Sequence, residues 1–115
     1  MISKKQHNTG VVLTVAINYG SRDEIVSAVK NIIKDGKSEE EITSELISKY
    51  LYTKDIPDPD FLIRTSGEKR ISNYLLWQIA YSEIYITDTY WPEFDKEQLA
   101  KAIIEFGLRQ RRYGK

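Results

Sequence analysis

The chain has 115 residues, with 17 Lys and Arg against 17 Asp and Glu, and no cysteine. That length suits one modest domain, and the balanced charge gives no reason to expect non-specific attraction to nucleic acid or to a membrane surface. The lack of thiols excludes a disulfide framework and a thiolate metal site and fits a reducing cytoplasm. No apolar run approaches the length of a membrane span, and "MISKKQHNTG" lacks the apolar core of a signal peptide, so the chain reads as soluble and intracellular.

Residues 1–10 are polar and aperiodic and predict an irregular lead-in, with His7 solvated. "VVLTVAI" at 11–17 is β-branched and apolar on both faces apart from Thr14, which predicts a strand covered on both sides, as in a parallel sheet. "NYGS" then turns the chain. Ser21 and Glu24 have capping-box spacing ahead of Ile25, Val26, Val29, Ile32 and Ile33, with Gly36 as the stop, so the spacing predicts a helix over about 22–35. "SEEE" at 38–41 repeats the capping-box pattern before an apolar stripe of Ile42, Leu46, Ile47 and Tyr50 on a second helix. "DIPDPD" is a loop, because each proline removes a donor and biases its predecessor to extended geometry. "FLIRT" predicts a second buried strand, "SNYLLWQIAYSE" a helix with Ser72 or Asn73 as N-cap, and "IYIT" a third strand. Asp95 with Gln98 predicts the cap of a last helix whose Leu99, Ala102, Ile103 and Phe106 face a core, ahead of the basic "RQRRYGK". The fold class is α/β, part of a parallel sheet flanked by helices; strands this apolar want neighbours on both edges, so the sheet reads as a piece of a larger one.

One stretch gathers donors. In "DFLIRTSGEKRISNYLLWQ", Arg64 ends a strand, and Arg70 and Ser72 sit in the loop after it, ahead of the expected helix start. Ligands of open α/β sheets bind beyond the carboxyl ends of strands, helix N-termini favour anions, and a guanidinium can bond two phosphate oxygens at once. These residues therefore form a candidate diphosphate clamp. Spacing leaves a second reading equally open, in which Arg64 pairs with Asp58, Asp60 or Glu68 and Ser72 only caps a helix. There is no Gly-rich phosphate loop to decide between them. By spacing alone Glu83, in "AYSEIY", is a paired or half-exposed carboxylate rather than a metal ligand, and Trp77, Trp91 and the tyrosines pack in a core or at an edge.

The motifs "LTVAINYGSRDEI", "PDPDFLIRTSGEKRISNYLLWQIAYSEIYITDTYWPEF" and the terminal "RRYG" resemble the C-terminal half of cis-prenyltransferases of the undecaprenyl diphosphate synthase group, from about residue 9 to the end. The resemblance implies a polar lead-in over 1–10 and the C-terminal portion of a cis-prenyltransferase domain over 11–115. It implies that Arg64, Arg70 and Ser72 hold the diphosphate of isopentenyl diphosphate and that Glu83 binds Mg²⁺ together with substrate diphosphate. Asn18 would lie near the active site, with Arg22 structural. Arg112 and Gly114 would belong to an Arg-x-Gly tail that reaches the diphosphate site of a neighbouring subunit in a homodimer. The activity implied is transfer of isopentenyl units in cis geometry onto an allylic diphosphate such as farnesyl diphosphate. It would yield a long-chain lipid carrier for cell-wall or glycan synthesis, in the cytoplasm with peripheral membrane association through the product. The family's N-terminal half, with an "MDGNGRWA"-type loop that binds the allylic diphosphate and Mg²⁺, has no counterpart in this sequence, so the isolated chain is expected to be inactive. A non-catalytic partner subunit of a heteromeric enzyme and a simple diphosphate-binding α/β domain are the competing readings.

Overall fold

The structure, a computed structural model, describes residues 2–4 and 10–109. These fall into two compact units, one running to Pro57 and including Asn73–Leu75, the other comprising Asp58–Ser72 and the chain from Leu76 on.

In the first unit, strands β1 (Ile2–Lys4) and β2 (Thr14–Ala16) pair antiparallel, with Ser3 opposite Val15. Two expectations are corrected here. Residues 2–4 of the lead-in are strand rather than irregular, and the apolar segment 11–17 is not covered on both sides: Val11 is 84% exposed, and Leu13 and Ile17 are also exposed. Its apolar pattern calls for cover that the described residues do not supply.

Helix α1 (Ser21–Lys34) forms close to the predicted span and buries Ala28 and Ile32. It ends as the sequence indicates, with Gly36 left-handed at φ +70° and its N–H donating to the Ile33 carbonyl at 3.0 Å. Its start differs. The N-cap is Gly20, with no side-chain cap, so Ser21 and Glu24 do not form a capping box. The first N–H groups are satisfied from far along the sequence: the Ser21 N–H donates to the Asn73 carbonyl at 2.8 Å and the Arg22 N–H to Asn73 Oδ1 at 2.9 Å.

Glu24 is instead fully buried, at 0% exposure, where its carboxylate accepts from the Tyr19 hydroxyl and, at 2.8 Å, from the Tyr52 N–H. Tyr19 also meets the rings of Tyr52 and Tyr74 edge-on. The box at Ser38 and Glu41 does form, but on a 3₁₀ turn over Glu39–Glu41. Extended Ile42 separates that turn from α2 (Ser44–Tyr50), which Thr43 caps by accepting from the Leu46 N–H at 3.1 Å.

The second unit carries the parallel pair. Strands β3 (Phe61–Arg64) and β4 (Glu83–Ile86) run side by side with Phe61 opposite Glu83 and Arg64 opposite Ile86. Helix α3 (Lys96–Leu108), capped by Asp95 as predicted through a 3.0 Å bond from the Gln98 N–H, lays Phe106 against Phe61 with ring centroids 4.8 Å apart. Ala102 is buried, whereas Leu99 and Ile103 of the predicted core stripe remain exposed. The parallel strands and the α3 helix packed on them make the fold α/β.

The helix predicted over "SNYLLWQIAYSE" does not form. Ser72, Asn73 and Leu75 have φ of +54°, +63° and +47°, and three left-handed residues so close together cannot carry an i→i+4 ladder. The segment is a run of turns, and Ser72 caps no helix.

Burial first, and then the hydrogen bond to Glu24, push the Tyr19 phenol from its ordinary 10.0 up to about 12. The fold thus favours the protonated phenol, so the stabilisation is complete below pH 10 and is lost as pH rises through 12. Titration of tyrosinate absorbance should show one phenol ionising near pH 12 in step with loss of structure by circular dichroism, and Tyr19→Phe should remove that step. An unchanged titration in Tyr19→Phe would contradict the assignment.

Candidate diphosphate site

Where β3 ends, the chain makes a tight hook. The Thr87 N–H continues the ladder to the Arg64 carbonyl at 3.0 Å, after which the Ser66 N–H donates to the Thr89 carbonyl at 2.9 Å and the Gly67 N–H to the Thr87 carbonyl at 2.7 Å. Ser66 and Gly67 are both left-handed, at φ +66° and +67°. A Cβ on Gly67 would lie 2.6 Å from Asp88 Oδ1, so glycine suits this position on two grounds.

Successive N–H groups in such turns often form an anion-binding nest. Here both are already bonded to carbonyls of the segment after β4, which leaves side chains as the available donors. Arg64 Nη2 donates to Glu68 Oε2, and Arg70 Nη1 lies 3.9 Å from the same oxygen. Of the local pairings that the sequence left open for Arg64, Glu68 is the one in place. Its Oε2 thus pairs with both arginines, by a hydrogen bond to Arg64 and an ion pair to Arg70. The hydrogen bond from Arg64, reinforced by the charges of Arg64 and Arg70, holds the Glu68 carboxyl below its ordinary range. Arg70 is 66% exposed, and Lys69 and Ser72 also face solvent.

Glu83 stands elsewhere on the strand pair. It opens β4 opposite Phe61, three positions before the residue that faces Arg64, or about 10 Å along the strands. By the alternation of the pleat its side chain lies on the Phe61 face and that of Arg64 on the other. There Arg109 Nη1 donates to the Ile84 carbonyl at 2.6 Å and lies 3.9 Å from Glu83 Oε2, while Nη2 bonds Glu105 at 3.0 Å. Among the described residues no group of three or more His, Cys, Asp or Glu could hold a metal ion. Glu83 offers one hard oxygen donor, which fits Mg²⁺ only as one member of a set completed by substrate oxygens and other ligands.

An apolar recess of about 540 Å³ is lined by Ile63, Trp91, Phe94, Asp95, Lys96 and Leu99 and includes none of Arg64, Arg70 and Ser72. Asn18 is exposed and left-handed, at φ +52°, in the turn before α1. His7, Arg112 and Gly114 lie outside the described residues.

Two features escaped the sequence reading. Asn73 was considered as a cap for the helix after it, and it serves α1, 51 residues earlier. The buried Tyr19–Glu24 pair was concealed by its capping-box spacing; the signal for it is the adjacent "NYG" turn, which brings the tyrosine back over the first helical turn.

Residues 1–114 match the family model described as "Putative undecaprenyl diphosphate synthase". An isoprenyl transferase of Fusobacterium nucleatum is 62% identical over 109 residues, covering 95% of this chain and 46% of that protein. One from Bacillus cereus is 56% identical over 113 residues, covering 95% and 44%. The chain thus spans about half the length of the curated relatives it matches. Among solved structures, lavandulyl diphosphate synthase from Lavandula x intermedia, in complex with dimethylallyl diphosphate, superposes with a TM-score of 0.80 at 32% identity, over 86% of this chain and 44% of that one. A probable undecaprenyl diphosphate synthase from Campylobacter jejuni gives 0.76 at 37% identity, over 86% and 45%.

Gly67→Ala should destabilise the chain by about 1–2 kcal/mol in urea unfolding, because a left-handed Ala costs that much. The Asp88 carboxylate can rotate away, so adding Asp88→Ala should recover only a small part. Full recovery in the double variant would show that the clash, not the backbone angle, sets the requirement.

Proposed function

The chain belongs to the undecaprenyl diphosphate synthase family of prenyltransferases, and we propose that it supplies the isopentenyl diphosphate-binding part of a cis-prenyltransferase. The observation that supports this most directly is the approach of both Arg64, by a hydrogen bond, and Arg70, at 3.9 Å, to one carboxylate oxygen of the loop after β3. A phosphate group presents several such oxygens, and charge-assisted guanidinium bonds to them are about twice as strong as neutral ones. Arg64 and Arg70 grip the diphosphate of isopentenyl diphosphate, and the exposed Ser72 hydroxyl adds a bond.

Transfer joins the isopentenyl unit in cis geometry to an allylic diphosphate of the farnesyl type, with loss of diphosphate from the allylic partner and of a proton from the isopentenyl unit. Bound Mg²⁺ would neutralise charge on the diphosphates; Glu83 is the candidate ligand, although its side chain lies on the other face of the strand pair from Arg64. The chain's own residues contribute by holding one substrate still, so that the two reacting carbons meet in a fixed orientation. Asn18, in the turn before α1, is a further candidate residue of the active site. Arg112 and Gly114 complete the diphosphate site of a neighbouring subunit in a homodimer. The product is a long-chain lipid carrier, made in the cytoplasm and held at a membrane surface by its own tail. No helix among the described residues is long and apolar enough to cross a membrane.

The exposed apolar residues fit a chain that spans about half of its relatives. Val11, Leu13 and Ile17 around β2, and Ile104 and the 83%-exposed Leu108 of α3, are faces that the remainder of such a protein covers.

Calorimetry with isopentenyl diphosphate should show binding to the chain that weakens roughly ten- to a hundredfold in Arg64→Ala and in Arg70→Ala, the scale of one hydrogen bond to a charged group. Unchanged affinity in both would refute the clamp. Coexpression with the N-terminal half of the Fusobacterium nucleatum relative should yield an enzyme that elongates farnesyl diphosphate with Mg²⁺. Elongation by the 115-residue chain alone would contradict the division of labour.

A further inference from the structure

Glu68 Oε2 accepts a hydrogen bond from Arg64 and lies 3.9 Å from Arg70 Nη1, so one carboxylate oxygen faces both guanidinium groups. We propose that Glu68 is a resident counter-anion of the clamp, which a diphosphate must displace in order to bind, and so a residue that sets the affinity and selects for highly charged ligands. The inference rests on reading Arg64 and Arg70 as a diphosphate clamp.

Two guanidinium groups brought together by one short loop repel each other, and a carboxylate four residues from Arg64 relieves that repulsion from within the loop. Charge decides what can replace it. A ligand with one negative charge exchanges one weak, half-exposed ion pair for another and gains little. A diphosphate brings more charge and more acceptor oxygens, so it can engage both forks bidentately and exclude the carboxylate. The depressed titration of Glu68 agrees with a carboxylate kept ionised at this position.

The loop does not need Glu68 in order to fold. Its path is fixed by the N–H groups of Ser66 and Gly67 on the carbonyls of Thr89 and Thr87, and by the left-handed angles of both residues. Neutralising Glu68 therefore acts on the occupant of the clamp rather than on its shape. Glu68→Gln keeps the length and packing of the side chain and removes the competing charge.

The test is calorimetric titration of the 115-residue chain with inorganic diphosphate, comparing the unaltered chain with Glu68→Gln, Arg64→Ala and Arg70→Ala. Glu68→Gln should bind roughly two- to fivefold more tightly, the equilibrium factor of a half-exposed ion pair, while both arginine variants lose affinity. As a second measurement on the unaltered chain, the Glu68 side-chain carboxyl carbon resonance should move as diphosphate saturates the site. If the arginine variants lose binding but Glu68→Gln binds equally or more weakly, or if the Glu68 resonance stays fixed at saturation, the counter-anion role is wrong and the clamp stands. If binding is unchanged in the arginine variants, both are wrong.

Discussion

The hydrogen bonds from the Ser66 and Gly67 N–H groups to the Thr89 and Thr87 carbonyls decide what the loop after β3 can do. They join the ends of two parallel strands, so the loop inherits the rigidity of the strand pair. They also use up the two amides that would otherwise make a backbone anion site. Any anion held there would have to be held by side chains, and Arg64 and Arg70 both approach one Glu68 oxygen. The close approach to Asp88 and the positive φ follow from the same hook, which is why a glycine stands at position 67. A loop held in this way can carry two like charges near each other, at the cost of needing an anion between them.

The first unit depends on a comparable economy at the start of α1. A helix start leaves several amides without partners, and Gly20 has no side chain to offer them. Asn73 supplies both a backbone and a side-chain oxygen, and it can do so because asparagine tolerates the left-handed backbone that aims them. In the same turn Glu24 is buried without leaving its carboxylate unsatisfied, since Tyr19 and the Tyr52 amide donate to it. Non-glycine residues with left-handed angles cluster at 66–75 and at Asn18, segments that include the candidate site residues Asn18, Arg70 and Ser72. Strain of this kind is retained where surrounding contacts over-determine it.

Much of the fold is legible in the sequence because the relevant signals are local. Strands β3 and β4, helix α1 with its Gly36 stop and helix α3 with its Asp95 cap follow from apolar runs and end signals read over a few residues. The failures share the opposite property. "SNYLLWQIAYSE" has helical apolar spacing, but the oxygens of Asn73 are committed to a helix 51 residues away, and no local pattern records that. Glu24 has the spacing of a capping box and the environment of a core residue. The segment 11–17 reads as a covered strand and lies open, because what a strand buries depends on chain that need not be close in sequence. At the site, the arginines were legible from their place after a strand. The face of the sheet on which Glu83 falls was set by the β3–β4 register, which only the pairing reveals.

The central claim is that Arg64 and Arg70 exchange Glu68 for a diphosphate. A crystal structure of the chain with isopentenyl diphosphate measures this directly. The account expects guanidinium nitrogens of both arginines within about 3 Å of phosphate oxygens, with the Glu68 carboxylate turned out of the clamp. A diphosphate seated elsewhere, or the Arg64–Glu68 pair intact beside a bound ligand, would contradict it.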